Sequence, residues 1–241
     1  MKDVQEIQNF GKIERRFRMI DYKRLLYLYK ICLGIEYTHV NNDGDFAIRK
    51  YPVEGRLEIY FQCTNSKLDW FSNIDCVKRP YKDMKTPWKC HRGFLRVWKT
   101  IEPYIKDDIL NPIYKKIEII GYSHGAAIAG ICHEYVWFNR PDIRDNIFGY
   151  GVGCPRFYGS IFVKKSLKER WVNFAVIRNK NDIVTHVPPK IFFYSHVSKP
   201  NKIGKNTELT VDSKSPDSFK AHYPSEYIKS IEMEVENGNN I

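Results

Sequence analysis

In Gly121-Tyr122-Ser123-His124-Gly125 a serine stands between two glycines, after the apolar run Lys116 to Ile120 and before the helical stretch Ala126 to Phe138. A serine on so tight a strand-to-helix turn has a strained backbone, and its hydroxyl is lifted to the carboxyl edge of a sheet. The positive end of the following helix then favours a negative charge developing on a neighbouring oxygen. The chemistry this permits is nucleophilic attack on an acyl carbonyl. The five-residue pattern alone also fits an ordinary glycine-containing turn. The strand before it, the helix after it and the small residues Ala126, Ala127, Ala129 and Gly130 favour the nucleophile.

A serine hydroxyl attacks carbonyls poorly unless a base takes its proton, so a histidine and an orienting carboxylate are required. The seven histidines are His39, His91, His124, His133, His186, His196 and His222. His124 adjoins the serine, so its backbone N–H matters more than its ring, and His133 lies on the helix after the turn. The chain order Ser, Asp, His leaves His186, His196 and His222. Asp182 stands just beyond a predicted strand, where a carboxylate can face the serine across the sheet edge. Asp142, Asp145, Asp212 and Asp217 lie in polar, loop-like settings. His186 is so near Asp182 in sequence that it would have to fold back sharply, whereas His222 follows a long loop. Spacing leaves the base open.

The elements that must position these groups read as an α/β pattern. Met19, Tyr22, Leu25, Leu26, Tyr29, Leu33 and Tyr37 recur at helical spacing within residues 1–38, and Asp21 is a candidate cap. Phe46 to Tyr51 and Arg56 to Gln62 read as strands joined by a Pro-Val-Glu-Gly turn, the second with Leu57, Ile59 and Phe61 on one face. Phe94, Val97, Trp98, Ile101 and Ile105 mark a helix from His91 that Pro103 is expected to kink or restart. Asn146 to Gly151 and Trp171 to Arg178 read as further strands, residues 198–218 as a long surface loop, and Tyr223 to Glu236 as a final helix. Strands alternating with helices predict a mostly parallel central sheet flanked by helices.

Composition bounds the rest. The 241 residues are 43% apolar and 15% aromatic, which excludes a disordered or low-complexity chain. No window approaches the roughly 18 unbroken apolar residues of a membrane-spanning helix. The net charge of +11 attracts phosphate groups of lipid or nucleic acid. The basic residues are scattered, however, in a first cluster (Lys12, Arg15, Arg16, Arg18, Lys23, Arg24) and a second (Lys164, Lys165, Lys168), and no nucleic-acid partner is expected. None of the six cysteines forms a Cys-x-x-Cys pair, and the charged start Met1-Lys2-Asp3 shows no secretory signal. The simplest expectation is a reduced, cytoplasmic protein.

Five segments in order resemble the class 3 lipases, the fungal-lipase-like branch of the α/β-hydrolases. These are His91-Arg92-Gly93-Phe94, Ile119 to Ala127, Gly151-Val152-Gly153-Cys154-Pro155-Arg156, Asn181-Asp182-Ile183-Val184 through Pro188-Pro189, and Ala221-His222-Tyr223. The resemblance implies one α/β-hydrolase domain over 1–241, with a helical segment at 1–40 and a lipase-like core from about 45 to 225. It implies Ser123 as nucleophile, His222 as base and then acid, and Asp182 as its orienting partner. Backbone N–H groups of Thr64 and His124 would form the oxyanion hole. Gln62-Cys63 stand where the family has Arg-Gly, and Tyr122 and His124 where it favours His and Leu.

The stretch Asn65 to Asn73 corresponds to the family's lid, so Leu68, Trp70 and Phe71 would meet substrate or else belong to the core. Trp88 poses the same choice between an interface and the core. No metal or organic cofactor is implied. The expected substrate is an acylglycerol or related lipid ester, with transient contact to an anionic lipid surface. Phospholipase A-type or short-chain carboxylesterase chemistry is the nearest alternative, and an idle basic protein binding lipid or nucleic acid the alternative of another class.

Overall fold

The run Lys116–Tyr122 is apolar and rich in isoleucine, and it forms the central strand of a seven-stranded sheet. The computed structural model describes residues 20–40, 44–62, 76–81, 88–204 and 216–238. In chain order the strands are β1 (Thr38–Val40), β2 (Gly44–Tyr51), β3 (Arg56–Phe61), β4 (Lys78–Tyr81), β5 (Trp88–His91), β6 (Lys116–Tyr122), β7 (Ile147–Val152), β8 (Phe174–Asn179) and β9 (Asn201–Ile203). The main helices are α1 (Tyr22–Gly34), α2 (Arg92–Leu110), α3 (His124–Asn139), α4 (Lys165–Lys168), α5 (Pro216–Lys220) and α6 (Pro224–Glu236). The sheet runs β1-β2-β3-β6-β7-β8-β9, antiparallel through β3 and parallel from β3 onward, while β4 and β5 form a separate hairpin. The expected mostly parallel, helix-flanked α/β sheet is observed.

Alternation along β3 and β6 sends side chains to two different cores. Leu57, Ile59, Phe61, Ile117 and Ile119 pack with Phe94, Val97, Trp98 and Ile101 of α2 and with α3. Tyr60, Ile120 and Tyr122 point the other way, against Leu25, Leu28 and Tyr29 of α1 and Tyr227 and Ile231 of α6. Trp88 is a core residue, its ring 5.3 Å from that of Trp171 and 5.5 Å from that of Tyr158.

Four expectations need correction. The helix at 92–110 runs through Pro103 as one element. A buried face that continues to Ile105 and Ile109 outweighs the roughly 3 kcal/mol a mid-helix proline costs. Trp171 ends a 3-10 turn, and β8 begins only at Phe174, because the indole is drawn into the core to donate to the Gly130 carbonyl at 2.9 Å. The polar stretch 198–218 holds strand β9 at its start and helix α5 at its end. The pairing of β9 with β8 is tertiary, which local polarity does not report. Of the helical segment expected over 1–38, residues 1–19 lie outside the described residues. Within the rest the helix runs from Tyr22, with the candidate cap Asp21 accepting from the Arg24 amide at 2.8 Å, but stops at Gly34, and Thr38 already begins β1. The basic residues Lys12 to Arg18 lie outside the described residues.

Because β6, β7 and β8 are parallel and in register, their carboxyl ends at Tyr122, Val152 and Asn179 form one edge. The loops that carry chemistry leave from that edge.

Candidate active site

Ser123 occupies the turn between β6 and α3 with φ 57° and ψ −122°, a left-handed conformation that costs a non-glycine residue about 1–3 kcal/mol. The surroundings hold it there. The Ser123 amide donates to the Val152 carbonyl at 2.9 Å, and its carbonyl accepts from Ala126 at 3.0 Å. Both glycines of the motif are required by close approach. A Cβ at Gly121 would sit 2.2 Å from the Gly125 carbonyl oxygen, and one at Gly125 would sit 2.4 Å from that of Phe61. The turn therefore folds against itself and against β3 at distances only hydrogen atoms tolerate.

His222 lies on the loop between α5 and α6, and its Nε2 is 2.8 Å from Ser123 Oγ. Its Nδ1 is 2.8 Å from Oδ2 of Asp182, which is fully buried just past the end of β8. An ionised carboxylate only accepts, so Nδ1 carries the proton and Nε2 is left to accept from the serine. The three side chains predicted from sequence and resemblance thus converge into one hydrogen-bonded chain.

Several residues that hold this chain in place escaped the sequence reading. The Tyr227 hydroxyl donates to Asp182 Oδ2 at 2.6 Å, and the Val184 amide donates to Oδ1 at 2.9 Å. Buried Asn179 donates through Nδ2 to the Ala221 carbonyl at 2.9 Å and accepts from Ser230 at 2.8 Å, tying the end of β8 to the histidine loop. The Tyr122 ring stacks on the His222 imidazole, with centroids 5.1 Å apart and planes 19° apart, and its hydroxyl donates to the His222 carbonyl. Gly153, at φ +62°, leaves the space beneath: a Cβ there would be 2.8 Å from His222 Cε1. Arg156 is buried and donates to the His186 and Pro188 carbonyls, bracing the segment after Asp182. No local pattern marks most of these. The tyrosine five residues after His222, at the start of a helix, was the one available cue.

The other histidines have different surroundings. His186 is exposed beside the Arg178 guanidinium. His196 bonds through Nε2 to the Thr185 carbonyl at 2.9 Å, and burial with the nearby Arg156 lowers its pKa to about 3. His133 is buried against Phe174, and burial lowers it to about 3 as well. His91 lies between the rings of Phe94 and Tyr194, and His39 pairs with Asp45.

His124 is the first residue of α3, so its backbone N–H points out of the helix's amino end beside Ser123, while its ring packs on Phe94 at 5.0 Å. The expected partner donor Thr64, with Cys63, and the expected lid residues Leu68, Trp70 and Phe71 lie outside the described residues. Among the described residues, no group of three or more His, Cys, Asp or Glu is placed to hold a metal ion. The buried cysteines 32, 90, 132 and 154 are free thiols.

The lipase of Rhizomucor miehei is 25% identical over 175 residues, covering 70% of this chain and 47% of that protein. A secreted mono- and diacylglycerol lipase of Malassezia restricta is 27% identical over 130 residues, covering 52% and 41%. The chain thus spans about half the length of these curated relatives. The solved structure of a triacylglycerol lipase whose catalytic centre is a serine-protease triad superposes with a TM-score of 0.62 at 21% identity, over 78% of each chain, so the fold is shared. The sequence model of the family "Lipase (class 3)" matches residues 58–192, from β3 through the Asp182 loop and more than half of the chain. By that match, the chain belongs to the class 3 lipase family.

Proposed function

We propose that this protein is a serine carboxylic-ester hydrolase that cleaves acylglycerols or related lipid esters through an acyl-enzyme. The observation that carries the reading is the unbroken chain from Asp182 through His222 to Ser123, with both links at 2.8 Å. The substrate class rests on the relatives, which are lipases and a mono- and diacylglycerol lipase.

In this reaction Ser123 Oγ bonds to the ester carbonyl carbon while its proton passes to His222 Nε2. The imidazolium that forms is faced by the Asp182 carboxylate, which keeps its charge throughout. The carbonyl oxygen becomes an oxyanion, and the His124 amide at the helix's positive end is one donor to it; the family resemblance assigns the other to Thr64. Collapse breaks the carbon–oxygen bond to the alcohol, which leaves with the proton from Nε2. A water then gives its proton to the same nitrogen and attacks the acyl group, and the returning proton releases Ser123.

A fluorophosphonate should label the wild type and leave Ser123→Ala unlabelled, and that variant should lose at least about 10⁴-fold in ester turnover. Retained hydrolysis in Ser123→Ala would overturn the mechanism. A rate profile over esters of rising chain length tests the substrate class separately. Preference for short, water-soluble esters would keep the serine chemistry and reject the lipid substrate.

A further inference from the structure

Charge is not spread evenly over this chain. Residues 146–204 contain ten Lys and Arg but only Glu169 and Asp182 as acids, so this quarter of the sequence holds +8 of the net +11. Two loops of this stretch leave the same sheet edge that carries Ser123, one after β7 and one after β8. They meet again where Tyr158 bridges Ser195. On the first loop Phe162 is 79% exposed beside exposed Ile161, and on the second Ile191 is 78% exposed beside exposed Phe192 and Phe193. Lys78 of the hairpin joins the two. Its ammonium lies 5.3 Å from the Phe193 ring centre, and its Cδ is 3.1 Å from where a Cβ would stand on Gly159. The Gly159 amide donates to the carbonyl of Lys89, which brings a second hairpin lysine to the same place.

Water gains nothing from such a surface. Five large apolar side chains stand out from two adjoining loops, and Phe193 is held at φ 58°, a conformation a bulky residue adopts only against a steric cost. Around them lie Lys78, Lys89, Lys164, Lys165 and Lys190. Among the described residues, none of these five lysines has a carboxylate within ion-pair distance. Apolar side chains rimmed by unmatched ammonium groups suit an interface with hydrocarbon below and anionic headgroups around it. A second copy of the chain would bring the same positive charge against itself. A nucleic-acid duplex offers phosphates but no apolar partner for Ile161 and Ile191.

We propose that the face formed by Ile161, Phe162 and Ile191 to Phe193, with its rim of lysines, docks on an anionic phospholipid bilayer and so turns the Ser123 edge toward it. The proposal rests on the lipid-ester reading for its purpose but is measured independently of it. Binding is followed by co-sedimentation of the Ser123→Ala protein, which leaves the vesicles intact. The vesicles are phosphatidylcholine alone or phosphatidylcholine with about 30% phosphatidylserine.

The protein should bind the anionic vesicles at least about ten-fold more tightly than the neutral ones, and less tightly as salt rises. Phe162→Asp with Ile191→Asp should weaken binding at least about ten-fold, as should Lys164→Glu with Lys165→Glu and Lys190→Glu. In the Ser123 background these substitutions should leave the unfolding midpoint and the rate on a water-soluble ester unchanged. No vesicle binding by the parent, or undiminished binding by either variant, overturns the proposal. So does salt-dependent binding to duplex DNA or RNA, or a dimer lost in the Asp variant, where vesicles are not bound. Vesicle binding without fluorophosphonate labelling of the native serine would keep this face and sink the hydrolase reading instead.

Discussion

Two buried carboxylate centres stand at opposite ends of the parallel strands, and their partners differ in kind. Near the amino ends of β3 and β6, Glu58 and Glu118 are neighbours in register and almost fully buried. Arg24 of α1 donates to Glu118 at 2.6 and 2.9 Å and to Glu58 at 2.5 Å, Arg56 pairs with Glu58, and Lys116 lies 3.2 Å from Glu118. Burial alone would raise the Glu118 carboxyl, but Arg24 and Lys116 outweigh it and hold the pKa below the usual range. At the carboxyl end of β8, Asp182 is buried just as completely. Among the described residues its hydrogen-bond partners are an amide, a phenol and an imidazole.

The two sets of partners suit the centres to different work. A carboxylate already matched by guanidinium groups gains little from a further positive charge, so the Glu58–Glu118 centre serves to lock α1 onto the sheet. A carboxylate solvated by neutral donors keeps its charge uncompensated until a neighbour becomes positive. That is the state a histidine accepting a proton from Ser123 requires. Burial is common to both centres; the charge of the partners separates structure from chemistry.

The largest effect should come from removing the charge of the second centre alone. Asp182→Asn keeps an acceptor for the Val184 amide but favours the wrong imidazole tautomer, and kcat should fall by about 10⁴-fold with the melting temperature little changed. A loss of only a few-fold, measured on a soluble ester, would erase the distinction between the centres.

Acid asks whether either carboxylate centre is the first to fail. His133 and His196 have folded-state pKa values of about 3, below the ordinary 6.5, because burial penalises the imidazolium. The stability tied to their neutral rings is therefore complete above pH 6.5. It declines as the unfolded chain takes up protons the folded chain refuses, down to about pH 3. By pH 4 His133 alone should account for about 3 kcal/mol. Denaturant unfolding at stepped pH should show the decline starting well above the Glu118 range. His133→Leu should flatten it; an unchanged slope would assign acid sensitivity elsewhere.

The smallest of the three is the mirror of the first. Arg24→Met leaves two buried carboxylates with less counter-charge and should cost about 2–3 kcal/mol in unfolding free energy, discounted because the guanidinium is partly exposed. The folded fraction should keep its kcat/KM. A matching fall in kcat would mean that α1 positions the reacting groups as well as stabilising the fold.

How much of this was legible in sequence differs between the same two regions. The turn around Ser123 was readable because its demands are local: a strand, a serine, two glycines at points of close approach and small residues on the next helix. Asp182 could be placed as a carboxylate after a strand. The base could not, since His186, His196 and His222 all follow in the right order, and only the family resemblance preferred one. The Glu58–Glu118 centre was not legible at all. Two glutamates in strands 60 residues apart and an arginine on a distant helix share no local pattern.

By itself the sequence determined the alternation of strands and helices, the strained serine turn and the family to which its motifs belong. Those are consequences of spacing along the chain. The tertiary structure brings His222, preferred until then by resemblance alone, to Ser123, and it alone decided which other histidines are buried neutral. It also decided that Tyr122, Asn179 and Tyr227 hold the pair in place, and that Lys78 of the hairpin lies over the ring of exposed Phe193. Such facts depend on groups far apart in sequence meeting across the sheet edge. Their energies come from proximity, burial and the charge of the partner, none of which a linear pattern contains.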